Sequence, residues 1–352
     1  MSKSVQNMEP LEKSRRDIQT KDRQIKSRDD RPKLPPKPQL NIISKFFMDN
    51  LNGKYNEYEM EAKFGTRGVK PISKLDYDNV VKKLKSLGYV SDNEMGTYSL
   101  KIQPEFLDAK TGQFKTSSDF ERFRIEIIGL TNIQEYCRTN SLTVVNDKSP
   151  NNVKILRKLD VRKAKEIKDN EFREEDENVE VFDEINGEIK NVIKNEIKNE
   201  IKNDKKDYSD VIQSADFDDF NFRVTIKNEE TISKTGKIGM EIFGNWNRSK
   251  KVFRYINRVS FTHPGKSNSS LPFQIDLSIV RSSSKNERGW LTQTYNVDES
   301  NVFQNPETYE IEVEALSTAR HILRTPEEIS DNLQKVIKSV LCGLQKTNFP
   351  IS

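Results

Sequence analysis

The sequence predicts a mainly β (α+β) fold, a closed antiparallel β-barrel with a charged interior and helices packed outside. Three observations lead there. Six segments alternate with a period of two between a wholly apolar face and a charged one. Their charges segregate along the chain: the first and last segments are acidic, while those between are mainly basic. The helices that interrupt them are few and carry clear start signals.

The acidic segments are Glu57 to Phe64, with Glu57, Glu59, Glu61 and Lys63 opposite Tyr58, Met60, Ala62 and Phe64, and Tyr309 to Glu314, with Glu310, Glu312 and Glu314 opposite Tyr309, Ile311 and Val313. The others pair Arg122, Arg124 and Glu126 with Phe123, Ile125 and Ile127; Arg223, Thr225 and Lys227 with Phe222, Val224 and Ile226; and Arg254 and Arg258 with Phe253, Tyr255 and Val259. Phe273 to Ile279 adds Gln274, Asp276 and Ser278. An isolated strand of this kind reads as a solvated surface. Repeated glutamates on one face repel each other, however, and a closed sheet whose apolar faces meet outer helices lets acid and base face each other across a tunnel.

Ser73 with Asp76 opens a helix bearing Val80, Val81, Leu84 and Leu87, and Gly88 ends it. Thr131 with Gln134 resembles a capping box, and Thr325, Pro326 and Glu328 mark the start of a last helix that should pack outside the sheet. Residues 1–40, with eleven Lys/Arg against six Asp/Glu, read as a disordered basic arm, and 162–210, with near-repeated Ile-Lys-Asn-Glu tetrads, as a low-complexity insertion. The domain itself is expected over 41–346, with 347–352 beginning a linker to a following domain.

Bulk properties narrow the field of functions. The net charge of +4 is small against 59 basic and 55 acidic residues, so nucleic-acid binding must come from local patches. Two distant cysteines, Cys137 and Cys342, argue against a disulfide framework or thiolate metal cluster and favour a reducing compartment. Neither a membrane-spanning apolar run nor a signal peptide is evident, and the chain reads as soluble and cytoplasmic, or in a viral factory or virion if viral.

The chemistry suited to glutamates at i, i+2 spacing on two strands is the binding of a hard divalent cation, Mn²⁺ or Mg²⁺, and Arg and Lys faces suit polyphosphate oxygens. No P-loop is present, neither cysteine has an arginine six residues on, and there is no Lys-x-Asp-Gly for nucleotide attachment. The histidines His263 and His321 sit at unrelated positions and read as structural.

Glu59-Met-Glu61-Ala-Lys63 followed by Phe64-Gly65, and Glu310-Ile-Glu312-Val-Glu314, resemble the two glutamate motifs of the triphosphate tunnel metalloenzymes, in their RNA triphosphatase branch. Phe273 to Ser278, after Arg254 to Phe261, looks like that branch's penultimate strands. The chain is similar overall to the amino-terminal domain of mRNA capping enzymes of large DNA viruses. This resemblance implies metal ligation by Glu59, Glu61 and Glu314, water orientation by Glu312 and support from Glu310. It further implies phosphate contacts from Lys63, Arg223, Arg254 and Arg258, bracing by Asp276, and a clamp at Lys158. Gln274 departs from the fungal pattern, which has arginine there, so that one phosphate or bracing contact is either missing or supplied from Arg122 or Arg124.

The implied activity is an RNA 5′-triphosphatase, removing the γ-phosphate of nascent RNA in the first step of mRNA capping. Its partners would be 5′-triphosphate RNA, nucleoside triphosphates as side substrates, and a guanylyltransferase domain following this one. Two alternatives remain: a tripolyphosphatase or nucleoside triphosphatase of the same fold, and a non-catalytic RNA-binding module.

Overall fold

Eight strands close on themselves. The computed structural model describes residues 40–45, 47, 58–65, 70–107, 112–115, 121–159, 214–264, 272–316 and 325–344. The arm before Leu40, the insertion 162–210, His321 and the tail 347–352 lie outside these residues. The barrel strands are β1 (Tyr58–Phe64), β2 (Thr97–Pro104), β5 (Glu121–Ile128), β6 (Val153–Leu159), β8 (Phe222–Thr231), β9 (Lys251–Thr262), β10 (Phe273–Ser282) and β11 (Thr308–Ala315). Around the barrel their order is β1-β11-β10-β9-β2-β5-β6-β8, and β8 returns to β1. The short β7 (Ser214–Phe217) extends the edge of β8, while β3 (Phe106–Leu107) and β4 (Phe114–Lys115) pair separately.

The strand β1 sits between the two closing partners. On one side Glu61 faces Glu314 and Lys63 faces Glu312; on the other Glu59 faces Lys227 and Lys63 faces Arg223. All ladders are antiparallel, so the period-two alternation carries every charged row to one side of the sheet. The sequence-derived fold is the observed one.

The opposite faces build two apolar clusters outside the barrel. Met60, Ala62, Phe64, Val224, Ile275, Leu277, Ile311 and Val313 pack on Val80 and Leu84 of α1 (Lys74–Ser86) and on Leu333, Val336 and Val340 of α5 (Pro326–Leu341). Leu100, Ile102, Ile125, Ile127, Ile155 and Phe253 pack on α2 (Leu130–Thr139), α3 (Leu142–Lys148) and α4 (Lys237–Asn245) through Ile133, Tyr136, Val145, Ile242 and Trp246. Leu40 is itself fully buried in the first cluster, next to Ile43.

Helix ends follow local chemistry. Ser73 and Asp76 form a reciprocal capping box, and the chain leaves α1 through Gly88 at φ +85°. Thr325 accepts from the Glu328 amide with Pro326 in the first turn. The Thr131 expectation requires correction. The cap of α2 is Gly129 at φ +92°, which has no side chain to offer, and Thr131 already lies inside the helix. The preceding strand must turn sharply there, and glycine adopts that backbone where a Ser or Thr cap would be strained.

Two glycines test this packing with opposite signs. A Cβ on Gly343, just beyond α5, would lie 2.7 Å from the Val80 Cα of α1, whereas one on Gly244 in α4 meets nothing within 4 Å. Gly343→Ala should destabilise by about 1–3 kcal/mol through overpacking. Gly244→Ala should stabilise by about 0.5–1 kcal/mol through helix propensity. Chemical denaturation of both variants checks the pair.

Candidate active site inside the barrel

The inward faces enclose a cavity of about 520 Å³. Ten of the sequence-predicted residues line it: Glu59, Glu61, Lys63, Lys158, Arg223, Arg254, Arg258, Glu310, Glu312 and Glu314. Asp276, the register partner of Glu312, is 1% exposed because its neighbours cover it: its carboxylate accepts from Arg258 at 2.9 Å and from Ser260 at 2.6 Å. Gln274, at the departure from the fungal pattern, donates to that same Asp276 carboxylate at 3.1 Å. The two expected substitutes, Arg122 and Arg124, also line the cavity.

Ion pairs link nearby inward rows in a graded series along β11. Glu310 meets Arg254 at 2.8 Å and Lys63 at 3.3 Å, and Glu312 meets Lys63 at 2.6 Å and Arg258 at 3.1 Å. Glu314 has neither ion pair nor hydrogen bond among the described residues. Burial and the nearby carboxylates of Glu59, Asp276 and Glu61 push it up to about 8, against the pull of Arg258. It is the carboxylate whose surroundings favour an added cation.

Glu59 and Glu61 instead converge on Lys158, whose Nζ is 3.2 Å from one and 3.9 Å from the other, and 3.5 Å from Glu229. Burial would lower that lysine, but the three carboxylates outweigh it and hold it up at about 12. Burial, reinforced by the charge of Glu312 and opposed by Lys158 and Lys63, raises Glu61. Burial also works to raise Glu312, but Lys63 and Arg258 hold it well below the usual carboxylate range. The two neighbouring carboxyls are thus shifted in opposite directions.

Among the described residues, no three His, Cys, Asp or Glu side chains form a preassembled metal cage. The donor set nonetheless fits a hard divalent ion: Glu59, Glu61 and Glu314 offer only oxygen, Glu61 and Glu314 are direct register partners, and Glu314 lacks a cation. Arg223, a lining residue, is gripped in bidentate fashion by Asp216 of β7, at 2.6 Å to each oxygen.

Lys101, Gln103 and Glu229 were not singled out from the sequence, yet all line the wall. On β2, Leu100 and Ile102 face outward and Lys101 and Gln103 inward, a short alternation that the sequence does contain. Glu229 continues the row Arg223, Thr225, Lys227, but buried Asn228 interrupts the apolar face that would have revealed it.

No protein-family model matches the chain, and no curated protein matches it by sequence. By structure, the chain is similar to the RNA triphosphatase domain of a trifunctional mimivirus mRNA capping enzyme, with 14% identity, a TM-score of 0.44, and 87% of this chain and 99% of that one covered. It is also similar to the S. pombe Pct1 RNA triphosphatase, with 12% identity, a TM-score of 0.36, and coverage of 89% and 90%. Among the described residues, no helix is long and apolar enough to cross a membrane.

The wall carries a pH signature. Burial, reinforced by Arg124 and opposed by Glu126 at 3.5 Å, pushes Lys101 down to about 8 from 10.5. A lysine lowered in the folded state opposes folding fully below pH 8, and that cost disappears as the pH rises toward 10.5. Lys101→Met should therefore raise the melting temperature at pH 7 and flatten the part of the stability profile between pH 8 and 10. Melting curves across that range check it.

Proposed function

We propose that this chain is a divalent-metal-dependent triphosphatase acting on the 5′-triphosphate end of RNA, releasing the γ-phosphate and leaving a 5′-diphosphate. The observation that carries this reading is one enclosed cavity in which Glu59, Glu61 and Glu314, from opposite ends of the sequence, face a ring of Lys and Arg. A carboxylate row alone would repel a triphosphate, and a basic wall alone would only bind it. Together the two suit hydrolysis, where positioning and charge neutralisation provide most of the rate.

Glu59, Glu61 and Glu314 would hold Mn²⁺ or Mg²⁺, which supplies positive charge at the γ-phosphate. The remaining roles belong to the protein. Lys63, Arg254 and Arg258, together with Lys158, provide donors for phosphate oxygens, exchanging part of their present carboxylate contacts for the substrate. Arg223 adds charge from the β7 side. Glu312, kept ionised by Lys63 and Arg258, orients the attacking water and accepts from it. Glu310 fixes Arg254, and buried Asp276 fixes Arg258. Association with mRNA capping, through a guanylyltransferase domain elsewhere in the same protein, is part of this reading.

Phosphate release from γ-labelled triphosphate-ended RNA tests it. With Mn²⁺ or Mg²⁺, Glu59→Ala and Glu314→Ala should each lower kcat at least about 100-fold, in line with losing a transition-state contact worth about 3 kcal/mol. Normal turnover in either variant contradicts the assignment. A wild-type protein that binds RNA with steep salt dependence yet releases no phosphate with any divalent ion is a binding module instead. Stronger competition by inorganic tripolyphosphate than by RNA moves the substrate to the small triphosphates.

A further inference from the structure

The two tryptophans of this chain differ sharply in environment. Trp246 is 3% exposed and packs in the outer apolar cluster, where its ring meets Tyr136, while Trp290 is 72% exposed. Exposing an indole so fully leaves a large apolar face in water, and among the described residues Trp290 has no ring or cation partner.

Its backbone is held firmly. Beyond β10 the chain forms a small hairpin, with Lys285 bridged to Leu291 and the Thr292 amide donating to the Ser284 carbonyl at 2.7 Å. At its tip the Asn286 amide donates to the Trp290 carbonyl at 2.8 Å. The Asn286 side-chain oxygen accepts from the amides of Arg288 and Trp290, both at 3.0 Å. Gly289, at φ +79°, supplies the backbone this closure requires.

The hairpin belongs to the barrel rim. Leu291, the residue after Trp290, lines the cavity together with Val252 and Arg254. The same loop bridges Thr294 to Lys251 at the start of β9. Arg254 and its partner Glu310 lie toward this end of the lumen, and Glu314 lies at the far end of β11. Lys285, Glu287 and Arg288 of the same hairpin are exposed as well. A triphosphate with its γ-phosphate among the carboxylates and its remaining phosphates among the cations brings its nucleoside out at this rim.

We infer that Trp290 is a stacking platform for the first base of a 5′-triphosphate RNA, and so the residue that separates nucleic-acid ends from bare polyphosphate. This deepens the triphosphatase reading and rests on it for the direction of the bound phosphates. Stacking on an aromatic side chain is worth about 1–3 kcal/mol per base and is tolerant of base identity.

The test compares KM for a triphosphate-ended oligoribonucleotide with KM for inorganic tripolyphosphate in wild-type protein, Trp290→Ala and Trp290→Phe. The ratio of RNA KM to tripolyphosphate KM should rise about tenfold in the alanine variant, within the stacking range, and return most of the way in the phenylalanine variant. A ratio within twofold of wild type in Trp290→Ala overturns the inference. A second arm reads tryptophan fluorescence during titration with the same two ligands without divalent metal. RNA should quench wild-type emission, tripolyphosphate should not, and the quench should vanish in Trp290→Phe, where only buried Trp246 emits. Absence of an RNA-specific quench also overturns the inference. If wild-type protein hydrolyses neither substrate, the triphosphatase reading falls and the fluorescence arm still decides the role of Trp290.

Discussion

Alternate residues on one strand face lie about 6.8 Å apart, and at an effective dielectric constant of about 20 each pair of like charges at that distance costs about 2 kcal/mol. The strand β11 carries three glutamates in such a row and β1 carries two, directly beside it. Folding tolerates this because other strands deliver cations into the same enclosed space, so that Lys63, Lys158, Arg254 and Arg258 each bind at least one of these carboxylates. The neutralisation stops short of Glu314. That residue is left facing Glu59, Asp276 and Glu61, and its carboxyl is correspondingly hard to ionise.

Closure of the sheet follows from the same arrangement. A flat sheet with these faces would expose either a greasy side or an unbalanced row of charge, whereas a barrel hides both. The greasy sides meet α1 and α5 over one half and α2, α3 and α4 over the other. Because β1 pairs with both β8 and β11, the first and last acidic strands become neighbours although about 250 residues separate them in the sequence. Along β11 the carboxylates therefore grade from Glu310 and Glu312, each held by two cations, to Glu314, which has no ion pair among the described residues. Such a gradient matches a substrate that is anionic along its length and reacts at one end.

Much of this was legible because barrel strands write their two faces into the sequence with period two. The rows of β1, β5, β8, β9, β10 and β11 could be read residue by residue, as could the caps at Ser73 and Thr325. Legibility failed where the period was short or broken. On β2, buried Ser99 and the closing Pro104 blur a row that holds Lys101 and Gln103, and on β8 the buried Asn228 hides Glu229. The Thr131 cap was misread because a Thr-x-x-Gln spacing arises easily, whereas the real turn depends on a glycine backbone that leaves no side-chain mark. The rim hairpin with Trp290 has no period at all. Its place is set by a bridge to Lys251 and by backbone bonds, neither of which a sequence pattern records.

Anomalous scattering from crystals soaked in Mn²⁺ tests most directly the proposal that Glu59, Glu61 and Glu314 share a cation. The account predicts one strong peak within the lumen, with oxygens of Glu59, Glu61 and Glu314 in its coordination shell. A peak coordinated by other residues, or a manganese-saturated crystal with no peak inside the barrel, would contradict it.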